Sequence, residues 1–263
     1  MLSEAEDAAR GPLEPPAPPP PPGHLPFSAG RPRLAAALEV ALCSGFPTQL
    51  ALAVVLTRMG IASVGSGGEL SLLYVVTLSL ADAVLLVGLI AYLLRRGGER
   101  PLAVLLGRRP HGPNALLGLA LIPLTVLLAW AGLQLLHAFW PGLRNVSGNP
   151  MEGLIRSPLD ALFFGVAAIV AGGLREEIQR AFILHRFEQH LGGGWLGLAV
   201  FSIVFGLGHY IQGWDAAIVT AMLGAIWGAL FLLKRSIVPA VISHAGFNAS
   251  EILIVLAATA GAS

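Results

Sequence analysis

The sequence predicts an all-α protein that crosses a bilayer several times, and three observations carry that prediction. Hydrophobic residues make up 55% of the chain and charged residues only 12%, where soluble proteins carry roughly a quarter of their residues as charges. The apolar residues gather into runs of about 20, the length that crosses the hydrocarbon core as a helix. The cations collect between those runs rather than along one stripe. With a formal net charge of +1, the chain has no polyelectrolyte surface, so nucleic acid is not an expected partner. The expected fold is a polytopic membrane helix bundle of about seven transmembrane helices, with six and eight as alternatives.

Residues 1–33 open with Glu4, Glu6 and Asp7 and pass into Pro15, Pro16 and the run Pro18 to Pro22. This composition predicts a disordered or polyproline II tail on the cytoplasmic side. No positive segment leads into an apolar one, so the tail is not read as a cleaved signal peptide. Residues 34–263 form the transmembrane domain, with spans at 34–57, 70–94, 115–140, 158–185, 195–211, 215–233 and 236–260. Placing the N-terminus inside puts Arg31, Arg33, Arg95, Arg96, Arg100, Arg108, Arg109, Arg186, Lys234 and Arg235 in cytoplasmic segments. Only Arg58, Arg144 and Arg156 then fall outside, which fits the positive-inside bias. Trp140, Trp195 and Trp214 lie near span ends, where aromatic rings favour the interface. Gly224 and Gly228 have the small-x-x-x-small spacing that lets helices approach closely. Cys43 is the single cysteine; it supports no intrachain disulfide and is read as structural.

Three polar places in the second half need an explanation, because ionisable groups in membrane spans are costly and mark functional sites. The first is Glu176, Glu177 and Arg180; residues three and four apart share a helix face, so the arginine reaches either glutamate. The second is His209, four residues after Phe205. The third is His244 with Asn248, again four apart. If the fourth span turns at Gly192, Gly193 and Gly194, Glu176 lies ~20 Å above the turn and His209 ~22 Å above it. His244 lies ~11 Å above the loop at 234–236, and meets the other two if the polar end from Arg186 to His190 projects below the bilayer. The three then line one cavity nearer the cytoplasmic side.

Hydrolysis is the chemistry such a cavity suits. A carboxylate desolvated among apolar helices holds protons more tightly, the property a general base needs near neutral pH. Glu176 with His209 is the candidate for activating water, and His244 with Asn248 the candidate for stabilising an oxyanion. Alternatively, Glu176, His209 and His244 directly coordinate a zinc ion that activates the water. Residue types alone leave both versions open.

At these residues the sequence resembles the CPBP family of intramembrane proteases, which includes CAAX prenyl proteases, bacteriocin-processing proteins and Abi proteins. The resemblance covers about residues 155–255 and rests on three motifs in order: Glu-Glu followed by Arg, Phe-x-x-x-His, and His-x-x-x-Asn. It implies an intramembrane endopeptidase of a membrane-associated protein or peptide, held in a lipid bilayer, with no cofactor. By the resemblance Glu176 and His209 activate water, His244 and Asn248 stabilise the oxyanion, and Glu177 with Arg180 holds the site together. The usual spacing of that family would put the arginine at 181, where this chain has Ala181. The one-residue shift turns the guanidinium by about 100° around the helix, so the expected partner of Arg180 is Glu176 rather than Glu177, or another group entirely. A bacterial inner membrane is the expected location.

Two readings from other classes stand beside this one. A non-catalytic scaffold would bind a partner through the same fold, and a transporter or proton relay would line an ion path with the same Glu and His residues. No inverted repeat supports the transporter. Glu39 and Asp82 lie in the first two spans without a motif and are read as helix–helix contacts. The substrate and the oligomeric state are not specified by the sequence.

Overall fold

The computed structural model describes residues 33–65, 67–107 and 111–261. The expectation for the proline-rich tail therefore lies, apart from Arg33, outside the described residues, as does that for Arg108 and Arg109. Apart from one short antiparallel bridge between Val64 and Leu70, the described residues form helices and their connections. They are α1 (Arg33–Leu42), α2 (Phe46–Arg58), α3 (Leu72–Arg96), α4 (Pro101–Leu106), α5 (His111–Phe139), α6 (Pro158–Ala167), α7 (Glu176–His190), α8 (Gly194–Leu207), α9 (Trp214–Lys234) and α10 (Val238–Gly261).

Among the described residues six helical stretches are long and apolar enough to cross a membrane, so the chain is an all-α polytopic membrane bundle. Two of the seven expected spans differ in detail. The span expected at 195–211 is the 14-residue α8, which rises ~21 Å at 1.5 Å per residue, short of the ~30 Å hydrocarbon core. The first span is broken into α1 and α2. Gly45 at the break has φ +90°, a conformation open mainly to glycine, and Pro47 follows in the first turn of α2.

The stretch 158–190 is one long helix with a wide segment inside it. Ser157 caps α6, its hydroxyl accepting from the Asp160 N–H at 3.1 Å. From Ala168 to Arg175 the chain takes π-helical turns before α7 begins at Glu176. Such wide turns recur at functional sites, because the extra residue per turn re-aims the side chains that follow.

α10 packs along α5 and against the π-helical segment, and α8 packs against α9. The spacing at Gly224 and Gly228 does admit a close neighbour. A Cβ at Gly224 would lie 2.8 Å from the Phe205 ring, and one at Gly228 would run into Leu198. At the far end of α8, the connection to α9 is tied to the segment after α5. Asn145 Oδ1 accepts from the Trp214 N–H at 2.9 Å, and His137 Nε2 lies 2.7 Å from Asp215 Oδ2. The outer face of the bundle is apolar, with Val84, Leu116, Leu159 and Ile203 among its exposed side chains. Trp140, Trp195 and Trp214 stand exposed at helix ends.

Arg186 is not a loop charge. It is 1% exposed on α7, where its Nε donates to Glu39 at 2.7 Å and its Nη1 to Glu99 and Gln189 at 2.6 and 2.8 Å. The burial follows from α1 and the α3–α4 connection each bringing a carboxylate to α7. Glu39 thus makes the helix–helix contact expected of it.

Candidate active site

The site forms where the π-helical segment, the start of α7, the end of α8, and the middles of α9 and α10 converge. Gly172 and Gly173 permit the convergence. A Cβ at Gly173 would lie 2.6 Å from Ala245 Cβ, and one at Gly172 would collide with the Asn248 amide. α10 therefore lies directly on the wide turn and carries His244 and Asn248 to it.

The two glutamates have different surroundings. Glu177 is 1% exposed and one of its oxygens, Oε1, serves two groups: Arg180 pairs with it, and His244 Nδ1 lies 2.8 Å away. Contrary to the expectation from the one-residue shift, Arg180 pairs with Glu177 and not with Glu176, because i,i+3 is still a shared helix face. A carboxylate oxygen accepts, so the His244 Nδ1 carries the proton. Glu176 keeps 17% of its side chain exposed, and stands 3.8 Å from His244 Nε2 and 4.0 Å from Arg175 Nη1. Among the described residues none hydrogen-bonds it directly.

His209 follows the last residue of α8 by two positions. Its Nδ1 lies 2.9 Å from the Phe205 carbonyl, which can only accept, so in the neutral ring Nδ1 is protonated and Nε2 is a free acceptor. Asn248 gives one amide N–H to the Ala168 carbonyl at 3.0 Å and retains a second. Glu176, His209, His244 and Asn248 all line one cavity of about 990 Å³. Glu176 and His209 border it without a direct hydrogen bond between them.

Aromatic rings fix the histidines. The Trp227 indole stacks on the His244 imidazole with centroids 3.7 Å apart and planes 14° from parallel. Phe205 meets His244 edge-on at 6.4 Å and lies 4.9 Å from His209. The Arg180 guanidinium, 0% exposed, lies 4.6 Å from the Phe205 ring centroid and 5.8 Å from that of Trp227. Cation–π attraction thus adds to its single ion pair.

Trp227 and the pair formed by Arg175 and Asp82 are the parts that sequence reasoning missed or left incomplete. Arg175 pairs with Asp82 of α3 and donates to Gln179 at 3.2 Å, so it holds α3 to the site. Two lone opposite charges in separate spans were the available signal. A tryptophan in an apolar helix gives none.

Among the described residues no group of three or more His, Cys, Asp or Glu side chains is placed to hold a metal ion. His244 Nδ1 is turned to Glu177, and Glu176 and His209 stand on the cavity wall.

Buried carboxylate, imidazole and amide groups around a cavity in a membrane bundle are groups that a hydrolase can use. Residues 158–250 match the family model described as type II CAAX prenyl endopeptidase Rce1-like. That stretch, about a third of the chain, is thus similar to the Rce1-like domain of the CPBP and CAAX protease family. Neither a curated protein nor a solved structure matches the chain.

Proposed function

We propose that the chain is an endopeptidase that hydrolyses a peptide bond of a membrane-associated protein or peptide by a glutamate-dependent route. The observation that carries this reading is the shared cavity, with Glu176, His209, His244 and Asn248 on its wall. Glu176 takes a proton from water while His209 Nε2 holds it, and the water oxygen bonds to the peptide carbonyl carbon. The oxyanion that forms receives the second amide N–H of Asn248 and, when the His244 ring carries both protons, its Nε2–H. As the C–N bond breaks, Glu176 returns the proton to the leaving amine. Glu176 then relays the water's second proton from the new carboxyl group to the amine, and the products are a carboxylate and an ammonium group.

Glu177 and Arg180 act one step back, setting the His244 ring through its Nδ1. The rest of the cavity, with walls that include Val126, Trp130, Leu133 and Phe164, suits an apolar or lipid-anchored part of the substrate. The description of the matching family makes a prenylated CAAX peptide the first substrate to try, ahead of leader peptides and regulatory membrane proteins.

The test is cleavage of quenched prenylated and unprenylated peptides by the purified protein in detergent. Glu176→Ala and His209→Ala should each lose roughly 10²–10⁴-fold in rate, the usual weight of acid–base catalysis. Equal cleavage by wild type and both variants would remove the protease assignment in favour of the scaffold. Stoichiometric zinc that is lost with His244→Ala would overturn the metal-free route.

A further inference from the structure

We propose that a second, smaller cavity holds the water that the site consumes and passes it to Glu176 and His209. This rests on the hydrolytic reading above. A cavity of about 180 Å³ lies beside the α1–α2 break, and Glu176, Phe205 and His209 line both it and the large cavity. The candidate water-activating pair therefore stands at a junction of two spaces.

The walls of the two spaces differ. Away from the shared residues the large one is mostly apolar, and a substrate anchored there displaces water. The small one sets Ser44, Gln49, Arg175 and Gln179, groups that hydrogen-bond water, beside Phe46, Phe201 and Val204. Arg175 supplies an independent sign of water. Its side chain is only 7% exposed and its Nε–H has no partner among the described protein groups. Buried donors of this kind are ordinarily satisfied by ordered water. At roughly 30 Å³ per molecule the space holds several waters.

Local sequence explains why the space exists. Gly45 breaks the first span, and Ser44, Gly45 and Phe46 at that break form part of the cavity wall. Gln179 Nε2 donates to the Cys43 carbonyl at 2.7 Å, holding the break to α7 while Arg175 spans to α3. Each turnover takes one water from this store; its oxygen ends in the carboxylate product and its protons follow the path through Glu176.

The experiment uses the full chain in detergent and in liposomes. On a Cys43→Ala background, Ser44→Cys, Gln49→Cys and Val204→Cys are exposed to a charged, water-soluble methanethiosulfonate. Leu162→Cys on the outer apolar face is the reference. The cavity cysteines should react more than tenfold faster than the reference, and the adduct at Ser44→Cys should lower kcat at unchanged KM until dithiothreitol removes it. Val204→Phe, at a position lining only the small cavity, should lower kcat several-fold, while Val200→Phe one turn earlier should not. Unreactive cavity cysteines overturn the proposal, as does full kcat with Val204→Phe or with the Ser44→Cys adduct. A raised KM in place of a lowered kcat overturns it in favour of a substrate subsite. If Glu176→Ala is inactive while the blocked cavity leaves kcat intact, the protease reading stands and the water route falls.

Discussion

Arg180 and Arg186 lie six residues apart on α7, with relative exposures of 0% and 1%, and both answer carboxylates. Their surroundings differ in what is left over. Arg186 draws Glu39 of α1, Glu99 of the α3–α4 connection and Gln189 of its own helix onto itself, and its guanidinium lies 4.8 Å from the Phe182 ring centroid. It lines neither cavity, and its work is to join elements. Arg180 has one carboxylate partner, shares that oxygen with His244, and otherwise rests on aromatic rings. The group it positions faces a cavity, beside a second glutamate that no described residue hydrogen-bonds directly. Buried charge in a span is therefore common to a strut and a site; an ionisable group left available at a cavity wall distinguishes the site.

Removing each arginine's role would separate the two regions most sharply. Arg186→Met takes away the cation that Glu39 and Glu99 share, and breaking a buried ion pair from one side costs ~3–5 kcal/mol. The expected outcome is a large loss of stability in detergent unfolding, with kcat of the folded fraction within about twofold of wild type. If Arg186→Met instead lowered kcat at unchanged stability, the strut would belong to the site and the comparison would break.

Much of this division was legible in the sequence, and the reasons are local. Glu176, Glu177, His209, His244 and Asn248 stand out because polar groups in lipid-length sequence must be explained, and 3.6-residue periodicity says which of them share a face. The bundle followed from apolar run lengths. The break at Gly45 was less legible from run length alone, although Gly45 and Pro47 interrupt the run with two helix breakers; the positive φ of Gly45 makes the turn. The burial of Arg186 was not legible, because Glu39 and Glu99, which bury it, are far away in sequence. The stacking of Trp227 on His244 depends on the mutual rotation of α9 and α10, which periodicity within either helix does not define.

That stacking gives the next test, at a smaller scale. Trp227 Nε1 donates to Ser243 at 3.2 Å, so the indole is anchored while its face sets the His244 plane. If His244 must present Nε2 at a fixed angle, Trp227→Leu should lower kcat roughly ten- to a hundredfold, as misplaced catalytic groups do, with KM little changed. Trp227→Phe, which keeps a ring face, should recover most of that loss. Equal damage from both, tracking a lowered unfolding temperature, would make Trp227 a packing residue like those around Arg186.

The smallest effect belongs to the strut and concerns pH. Glu99 sits between α3 and α4, outside the spans. Burial alone would raise its proton affinity, but the hydrogen bonds and positive charges of His185 and Arg186 outweigh burial and lower its pKa from the ordinary 4.5 to about 2. A carboxylate with a depressed folded-state pKa binds protons more tightly when unfolded. Its contribution is therefore complete above about pH 4.5 and is lost as pH falls towards 2. Because Glu99 is partly exposed, solvent screens this contribution, and the slope should be modest. Unfolding midpoints measured in detergent from pH 6 down to pH 3 should fall in the acid part of that range for wild type. The same series for Glu99→Gln should start lower and decline less. Parallel curves would mean that other carboxylates carry the acid sensitivity, and would take from the Arg186 cluster the structural role that sets it apart from Arg180.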